Sequence, residues 1–337
     1  MIGYYIHHHG RGHLTRASSI ATQLTQDVTA LTSMPLPSDA PFTDVVHLPR
    51  DDDSTDPINP TAAGRFHWVP QHDRGLQTRM HAIADWIIRC RPDAIVVDVS
   101  VEVTTLAKLF GVPVVVLAMP GERTDPPHDL VYALADHIVA PWPGDLYAPA
   151  HLAPHVHKTT FVGGISRFDG RPVPASFVDD TPLALVLSGA GGSNLTADEV
   201  AGWARQNPDY RWQAIGVAGT PWIDDPWPLL CEASVVISGA GQNSVADIAA
   251  AQRPAVIVPQ TRPFDEQAAT ATVLERNGLA VTSTTWPAHH EWSGLLRGAR
   301  RSNPRHWNRW QTRGAAQRAA RAIDDAADRT RIVESVP

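Results

Sequence analysis

The chain is poor in cysteine and in lysine, and each shortage removes a class of function. The two cysteines, Cys90 and Cys231, lie far apart among 337 residues and form neither a metal motif nor a disulfide framework. Only Lys108 and Lys158 among the 28 basic residues are lysines. Neither sits in a Gly-Lys-Ser/Thr context, which excludes a Walker-type phosphate loop.

Long hydrophobic runs and a strong positive charge are also missing. The longest apolar run, Val112–Met119, is far shorter than the roughly 18 residues that a membrane span requires. The first six residues lead directly into three histidines and do not resemble a signal peptide. The formal net charge of −7 disfavours binding to nucleic acid, whose phosphates attract basic surfaces. We therefore expect a cytoplasmic protein that does not bind nucleic acid.

What the chain does contain is a repeated alternation of short apolar runs with amphipathic segments. In the first half, Ile2–His7 and Ala94–Val97 read as strands, and Leu14–Leu24 and Leu76–Arg91 read as helices. Residues 35–75 show no clear periodicity. In the second half, Leu183–Leu187 and Val235–Ile237 read as strands in the same way. Strands separated by helices predict parallel sheets, and the length suits two domains of about 150 residues. The sequence therefore predicts an α/β fold with two doubly wound domains.

The domain limits follow from composition. Residues 1–163 form the first predicted domain, and the segment 164–180, rich in glycine, proline and aspartate, forms the linker. Residues 181–303 form the second domain, and 304–337 form a helical tail that packs back across the domains. Thirteen of the 16 histidines lie within the first 165 residues, as expected if the two halves have different roles.

Three strand ends run into glycines and then into a helix, at residues 7–16, 187–194 and 237–247. Glycine lets the backbone approach a ligand, and the free amides of a helix N-terminus attract phosphate. The first junction half-matches the dinucleotide fingerprint, but Thr15 replaces its third glycine and no acid ends the second strand. This argues against a nicotinamide cofactor.

The third junction suits a nucleotide. If Asn243 caps the helix, its first amides face the turn 239–241. Asp247, one turn further on, then leans back toward a ribose whose phosphates lie on the helix end. Downstream, the acid–acid–amide run 265–267 suits the vicinal hydroxyls of a sugar. The alternatives are a solvated first-turn acid at 247 and a simple helix-capping arrangement at 265–267.

In this order the segments resemble the donor-site signature of the GT-B glycosyltransferases, and within them the MurG family, family 28, which adds N-acetylglucosamine to a lipid-linked cell-wall precursor. The resemblance is strongest over residues 181–283, and "HHGRGHLTR" near the N-terminus is similar to the family's glycine loop with its histidine. It implies two Rossmann-like domains facing a cleft, a UDP-sugar donor bound by the second domain and an acceptor against the first. It implies no further cofactor.

The resemblance also implies roles for individual residues. On the donor side these are Gly189, Gly191, Gly192 and Ser193 at the diphosphate, Gly239, Ala240, Gly241, Gln242 and Asn243 at the second phosphate-facing turn, Ile223 on the uracil, Asp247 on the ribose where the family normally has Glu, and Arg262, Phe264, Asp265, Glu266 and Gln267 around the sugar and the leaving group. On the acceptor side they are Gly10, Arg11, Gly12 and Arg16.

An inverting transfer needs a base that takes the proton of the acceptor hydroxyl. His13 is our first candidate, because imidazole titrates near neutral pH. Asp98, at the end of a strand, is the alternative base or the partner that orients His13, and Glu122 is a third candidate. The glycine-turn amides and Arg262 would meet the charge of the leaving diphosphate.

We expect no metal. Three consecutive strand histidines, 7–9, alternate between faces and cannot all bind one ion. The run Asp51–Asp53 contains an Asp-x-Asp pattern, but its polar surroundings predict a solvated acidic loop.

Two other functions remain open at this point. The Gly-x-Gly-His-x-x-Arg stretch is also similar to nucleotide-sugar hydrolases of the same fold, in which water replaces the acceptor, and a third reading is a nucleotide-sugar binding protein without catalysis. The acceptor is a small molecule, a glycan or a lipid-linked compound.

The arginine-rich tail after Trp286 suggests either a packed terminal helix, which we favour, or a weak peripheral contact with a membrane.

Overall fold

The computed structural model describes residues 1–8, 10–174, 181–189, 195–221 and 223–334, the side chains of 329–334 excepted. Its strands are β1 (Ile2–Ile6), β2 (Val28–Thr32), β3 (Asp44–His47), β4 (Ala94–Asp98), β5 (Val114–Leu117), β6 (His137–Ala140), β7 (Thr159–Phe161), β8 (Leu183–Leu187), β9 (Arg211–Ile215), β10 (Val235–Ser238), β11 (Ala255–Ile257) and β12 (Val281–Thr282).

The helices alternate with these strands. They are α1 (Arg11–Ala21), α2 (Arg74–Cys90), α3 (Val101–Leu109), α4 (Pro126–Leu134), α5 (Ala197–Gln206), α6 (Trp227–Glu232), α7 (Gln242–Ala251), α8 (Glu266–Arg276), α9 (Trp292–Arg300) and α10 (Ala315–Glu334). Short 3-10 helices span Ala150–Lys158, Pro263–Asp265 and Pro304–Trp310. None of the described helices has both the length and the apolar character needed to cross a bilayer.

The first sheet has the order β3-β2-β1-β4-β5-β6-β7, and its strand pairs are parallel. The chain builds outward from β1 in one direction and then returns to add β4 on the other side. A doubly wound sheet binds ligands at this reversal, beyond the carboxyl ends of the two strands. The fold therefore directs attention to the residues that follow β1 and end β4.

The second sheet has the order β12-β11-β10-β8-β9, also with parallel pairs. Here the reversal lies between β8 and β10. The second and third glycine junctions follow these two strands, so the topology brings both to one edge of the sheet. The predicted α/β class with two parallel, doubly wound sheets is confirmed.

The C-terminal tail contacts both halves of the protein. Its 3-10 helix Pro304–Trp310 packs on α7, with Trp307 and Trp310 buried. The final helix α10 crosses to the first sheet, where its alanines and the fully buried Ile323 share a core cluster with β1 and α1. Because these tryptophans are buried in the protein, they are not free to enter a membrane surface.

Two element predictions need correction. The first helix begins at Arg11, not at Leu14, so the glycine-loop residues Gly12 and His13 lie in its first turn. The stretch 35–75, which shows no clear periodicity, contains the edge strand β3. Its alternation is hidden because β3 is only four residues long and its middle two residues are merely half-buried.

Candidate functional site

His13 and Asp98 meet at the reversal of the first sheet. His13 lies in the first turn of α1, and its Nδ1 is 3.1 Å from Oδ1 of Asp98, the last residue of β4. Asp98 is completely buried, whereas 16% of the His13 side chain is exposed. The structure therefore places the base candidate at the surface of the site and its partner behind it.

Arg16 completes this group from the next turn of α1. Its Nη2 donates to Oδ1 of Asp98 at 2.6 Å, and its Nε to Oδ2 at 3.3 Å. Burial alone would raise the pKa of Asp98, but Arg16, together with His13, outweighs it and holds that pKa well below its usual range. Arg16 is only 3% exposed and its charge is paired with Asp98, so this member of the predicted acceptor-side segment supports the site from within the protein.

The tautomer of His13 follows from its neighbours. An ionised carboxylate can only accept, so we assign the proton to Nδ1, which donates to Asp98. The remaining ring nitrogen, Nε2, has no hydrogen-bond partner among the described residues. Its lone pair is then available to take a proton.

The backbone that follows Asp98 is strained. Val99 has φ 64°, a left-handed conformation that costs a β-branched residue about 1–3 kcal/mol. The turn is fixed directly afterwards, because the hydroxyl of Ser100 caps α3 by accepting from the amide of Val103. This sharp turn ends β4 at Asp98 and leaves the Asp98 side chain directed toward α1.

The carboxylates of Glu122 and Glu266 have different surroundings. Glu122 is exposed, and its contact across the domains is made by its backbone amide, which donates to the carbonyl of Phe264 at 2.7 Å. Glu266 is half-buried at the start of α8, with Arg123 at 3.5 Å. Burial raises the pKa of Glu266 above its usual value, although Arg123 and Arg16 act against this. Of the two, Glu266 lies within the electrostatic reach of His13.

The third glycine junction forms the tight turn that the sequence predicts, with one difference. Helix α7 begins at Gln242 with Gly241 at its N-cap, so Asn243 is not the cap. Instead, Nδ2 of Asn243 donates to the carbonyl of Gly12 in α1 at 2.9 Å. The first turns of α1 and α7 thus contact each other directly, one from each half.

Gln267 ties this turn to the neighbouring loop. Its Oε1 accepts from the amides of Ala240, at 2.9 Å, and Gln260, at 3.0 Å, and its side chain is buried. The amide of Ala240, expected to face a phosphate, is therefore occupied in this structure. The carboxamide nitrogen of Gln267 is the group that remains for a sugar hydroxyl.

Asp247 contacts the linker rather than the open cleft. Its Oδ1 accepts from the hydroxyl of Ser166 at 2.7 Å, and its Oδ2 lies 3.3 Å from Nε of Arg167. Burial raises the pKa of Asp247 from 3.8 to about 6, despite the charge of Arg167. A ribose contact here would require exchange of these partners, because both carboxylate oxygens of Asp247 are engaged.

We predict that Asp247→Asn changes the pH dependence of stability. The raised pKa means that the folded state binds the proton more tightly than the unfolded state, so the Asp247 contribution falls as pH rises from about 4 to 6. The free energy of unfolding of Asp247→Asn should gain about 3 kcal/mol relative to wild type across this interval. Urea unfolding at pH 4 and pH 7.5 measures this.

Asp225→Asn is the matched control for Asp247→Asn. Hydrogen bonds from Arg171 lower the pKa of Asp225, so the contribution of Asp225 to stability is lost as pH falls. This pH dependence has the opposite sign to that of Asp247. It is small because half of the Asp225 side chain is exposed. If the stability of the two variants changed equally with pH, the raised pKa of Asp247 would be contradicted.

Phe264 inserts from the second half into an aromatic pocket of the first. Its ring lies edge-on to His128, with 4.7 Å between centroids, and under the guanidinium of Arg123 at 4.5 Å. Phe264 and Asp265 both have left-handed backbones, with φ 61° and 52°. Two strained residues in succession indicate that the contact with the first domain determines this conformation.

A hydrogen-bonded chain lies beneath Phe264. Nη1 of Arg123 donates to Nε2 of His128, whose Nδ1 donates to Asp125, and Asp125 also lies 3.1 Å from Nε2 of His67. Burial lowers the pKa of His128 to about 4, which keeps this ring neutral. Sequence reasoning missed this group, although Asp125-x-x-His128 at the start of a helix is a spacing that brings two side chains together.

Two clusters place three metal-binding side chains close together. His67, Asp125 and His128 form one, but Nδ1 of His128 carries the proton that Arg123 imposes, and that nitrogen would have to lose it to bind an ion. His8, Asp51 and Asp52 form the other.

The acids of the second cluster have charged partners. Asp51 pairs with the buried Arg79 at 3.1 Å, and Asp52 with His8 at 3.1 Å and with Arg50 at 2.7 Å. The prediction of a solvated acidic loop is therefore wrong for these two aspartates, because they lie against β1 and α2.

Gly121 permits the contact between the domains at Phe264. Its φ is 102°, and a Cβ there would lie 2.1 Å from the carbonyl oxygen of Phe264. We expect Gly121→Ala to separate the two segments and to increase the radius of gyration measured by small-angle scattering. Gly111→Ala is the matched control, since Gly111 also has positive φ, 72°, but no atom near the added methyl group. A similar effect in both variants would mean that backbone strain alone is responsible.

The remaining predicted residues are dispersed around this site. Gly189 faces the first turn of α7, Ile223 packs half-buried against the core, and Arg262 donates to Oε1 of Gln260 at 2.9 Å. Gly10 is the N-cap of α1, and Arg11 is exposed. Gly191, Gly192 and Ser193 lie outside the described residues.

The chain is similar to known glycosyltransferases. Residues 187–284 match the Glycosyltransferase family 28 C-terminal domain. Over an alignment of 135 positions, the chain is 28% identical to the UDP-N-acetylglucosamine--N-acetylmuramyl-(pentapeptide) pyrophosphoryl-undecaprenol N-acetylglucosamine transferase of Methylobacterium radiotolerans. The match covers 33% of this chain and 37% of that relative, so it spans little more than a third of the relative's length.

Solved structures extend the likeness to the whole chain. The glycotransferase of kitacinnamycin superposes with a TM-score of 0.69 and 17% identity over 97% of this chain and 98% of its own. MurG of Acinetobacter baumannii superposes with a TM-score of 0.60 and 17% identity over 96% of this chain and 99% of its own. A UDP-glucosyltransferase from Polygonum tinctorium capable of glucosylating indoxyl superposes with a TM-score of 0.68 and 14% identity over 98% of each chain. The fold is that of the two-domain GT-B glycosyltransferases.

Proposed function

We propose that this protein is a glycosyltransferase that moves a sugar from a UDP-sugar to an acceptor hydroxyl, with inversion and without a metal ion. The observation that carries the proposal is that the strand-order reversals of the two sheets lie next to each other. The His13–Asp98 pair lies at the reversal of the first sheet. The first turn of α7, inside the matched family 28 domain, contacts α1 next to this pair.

The bond-making step uses His13 as base. Nε2 of His13 takes the proton of the acceptor hydroxyl as its oxygen attacks the anomeric carbon, and the bond from that carbon to the diphosphate oxygen breaks. UDP leaves with the electron pair. Asp98 accepts the hydrogen bond from Nδ1 and stabilises the imidazolium that forms, without itself gaining a proton.

The leaving diphosphate would be bound at the edge of the second sheet. The N-terminus of α7 offers amides and a partial positive charge there, and Arg262 lies in the following loop. Glu266 and the carboxamide nitrogen of Gln267 would receive the sugar hydroxyls. Because the amide of Ala240 is held by Gln267, donor binding would exchange that bond for one to phosphate.

We further propose that the acceptor is a small molecule. His128, Tyr132 and Met119 help to line a small, largely apolar cavity of about 20 Å³ that Arg123 borders, so an acceptor ring would have to displace some of these side chains. Nη2 of Arg16 lies 3.5 Å from Sδ of Met119, and this proximity of the cavity to the Arg16–Asp98–His13 group supports the proposal. The Polygonum tinctorium enzyme, capable of glucosylating indoxyl, supports trying a flat aromatic hydroxyl first.

The test is the release of UDP from UDP-glucose and from UDP-N-acetylglucosamine, each with and without indoxyl and a panel of phenols. A transferase releases UDP in amounts that match the glycosylated product and only when an acceptor is present. Equal release in water alone would indicate the hydrolase, which the Gly-x-Gly-His-x-x-Arg stretch also resembles. Thermal stabilisation by the donor without turnover would indicate a binding protein.

A further inference from the structure

Arg16 joins three partners that belong to different parts of the fold. It holds Asp98 of β4 through two nitrogens, its Nη2 lies 3.3 Å from Nδ1 of His13, and its Nη1 donates to Oε1 of Gln242 at 2.7 Å. Gln242 is the first residue of α7, beside the phosphate-facing turn. A single buried cation therefore connects the candidate base with the candidate donor site.

The charge of Arg16 matters because Asp98 has no access to water. A buried carboxylate paired only with an imidazole would draw a proton onto that ring, since the ion pair is favoured over a lone charge. A base that is already protonated cannot accept the hydroxyl proton. Arg16 supplies the balancing positive charge, so that Asp98 can stay ionised beside a neutral His13.

Three further titratable groups among the described residues face this cluster. His7, which follows β1, lies with its ring centroid 5.7 Å from that of His13. The hydroxyl of Tyr4 from β1 lies within electrostatic reach of Asp98 and Arg16, and Glu266 from α8 lies within reach of Arg16 and His13. Among the described residues, Arg16 is the cation in direct contact with Asp98.

We propose that Arg16 is a positioning residue: it neutralises Asp98 so that His13 keeps a free lone pair near neutral pH, and its bond to Gln242 fixes this pair relative to the donor-binding helix. The second half rests on the proposed function, whereas the first concerns the charge state of His13 alone. The bond from Asn243 to the carbonyl of Gly12 lies beside that of Gln242 and holds the same two helices together.

The decisive measurement is a pH titration by NMR of the protein labelled with ¹⁵N-histidine. The His13 signal is identified from its loss in His13→Gln. In wild type we expect the Nδ1-protonated tautomer. In Arg16→Gln we expect the His13 midpoint to rise by at least one pH unit, a tenfold gain in proton affinity. Arg16→Lys keeps the charge and should shift it by less than half a unit.

Two results would overturn the proposal. One is an unchanged His13 midpoint in Arg16→Gln, and the other is a wild-type His13 whose Nδ1 carries no proton, because it would then accept from Arg16. The second result needs no variant, so the proposal stays testable if Arg16→Gln does not fold. The double variant Arg16→Gln/Asp98→Asn removes both charges and should bring the midpoint back toward that of wild type.

The role in transfer is tested separately with Gln242→Leu. We expect the kcat for transfer to fall about tenfold or more with little change in the donor KM, while the NMR midpoint of His13 stays unchanged. An unchanged kcat would overturn the link through Gln242. Failure of every donor to turn over in wild type would instead count against the proposed function, leaving the titration result intact.

Discussion

Asp98→Ala is expected to lower the free energy of unfolding by about 3–5 kcal/mol, because it leaves the guanidinium of Arg16 buried without its counter-charge. Asp98 has no exposed surface and Arg16 only 3%, so water cannot replace the lost carboxylate. Urea unfolding followed by circular dichroism would measure the loss. We expect the first domain to be the part affected, since both residues belong to it.

The matched control is Asp85→Ala. Asp85 also pairs with an arginine, Arg89 at 2.8 Å, but both side chains are more than half exposed on the surface of α2. Exposed pairs contribute about 0–1 kcal/mol, so this variant should unfold almost like wild type. If Asp98→Ala lowered the free energy of unfolding no more than Asp85→Ala, the buried Arg16–Asp98 pair would not stabilise the fold as we propose.

His13→Ala is expected to reduce the rate of sugar transfer by about 10²–10⁴-fold, the usual contribution of a general base. The affinity for the donor should change little, because the donor contacts that we propose lie on the second sheet. Steady-state rates with the acceptor identified in the UDP-release screen give the first quantity, and donor-induced thermal stabilisation gives the second.

His81→Ala serves as the control for His13→Ala. His81 is exposed on α2, so loss of its imidazole should leave transfer unchanged. Near-normal transfer by His13→Ala, with donor binding intact, would exclude His13 as the base. Asp98 is shielded behind His13, so Glu266, which lies within electrostatic reach of the base candidate, would then be the next carboxylate to test.

The sequence predicted the α/β class and most strands because buried parallel strands leave continuous apolar runs, such as Leu183–Leu187, between helical patterns. It missed β3 because that strand is short and at the edge of the sheet. It placed the start of α1 too late, since glycines such as Gly12 favour a loop when judged by local propensity alone.

The site was predicted less completely than the fold. Strand ends and glycine turns identify which segments meet, and the proximity of His13 and Asp98 follows from the parallel order of β1 and β4. Partner choice does not follow from local pattern. Packing between segments far apart in the chain decides which groups meet. It determines whether Arg16 faces an acceptor or a buried carboxylate. It also determines whether Asp247 faces a ribose or the linker.

The packing of α10 has a consequence for how the protein is made. Ala319 and Ile323 belong to the core cluster that includes β1 and α1, although more than 290 residues separate them from either element. During translation the first sheet emerges early, but one of its packing layers is missing until α10 has been synthesised. A product that stops before α10 should therefore be cleared by proteases even though every strand of that sheet is present.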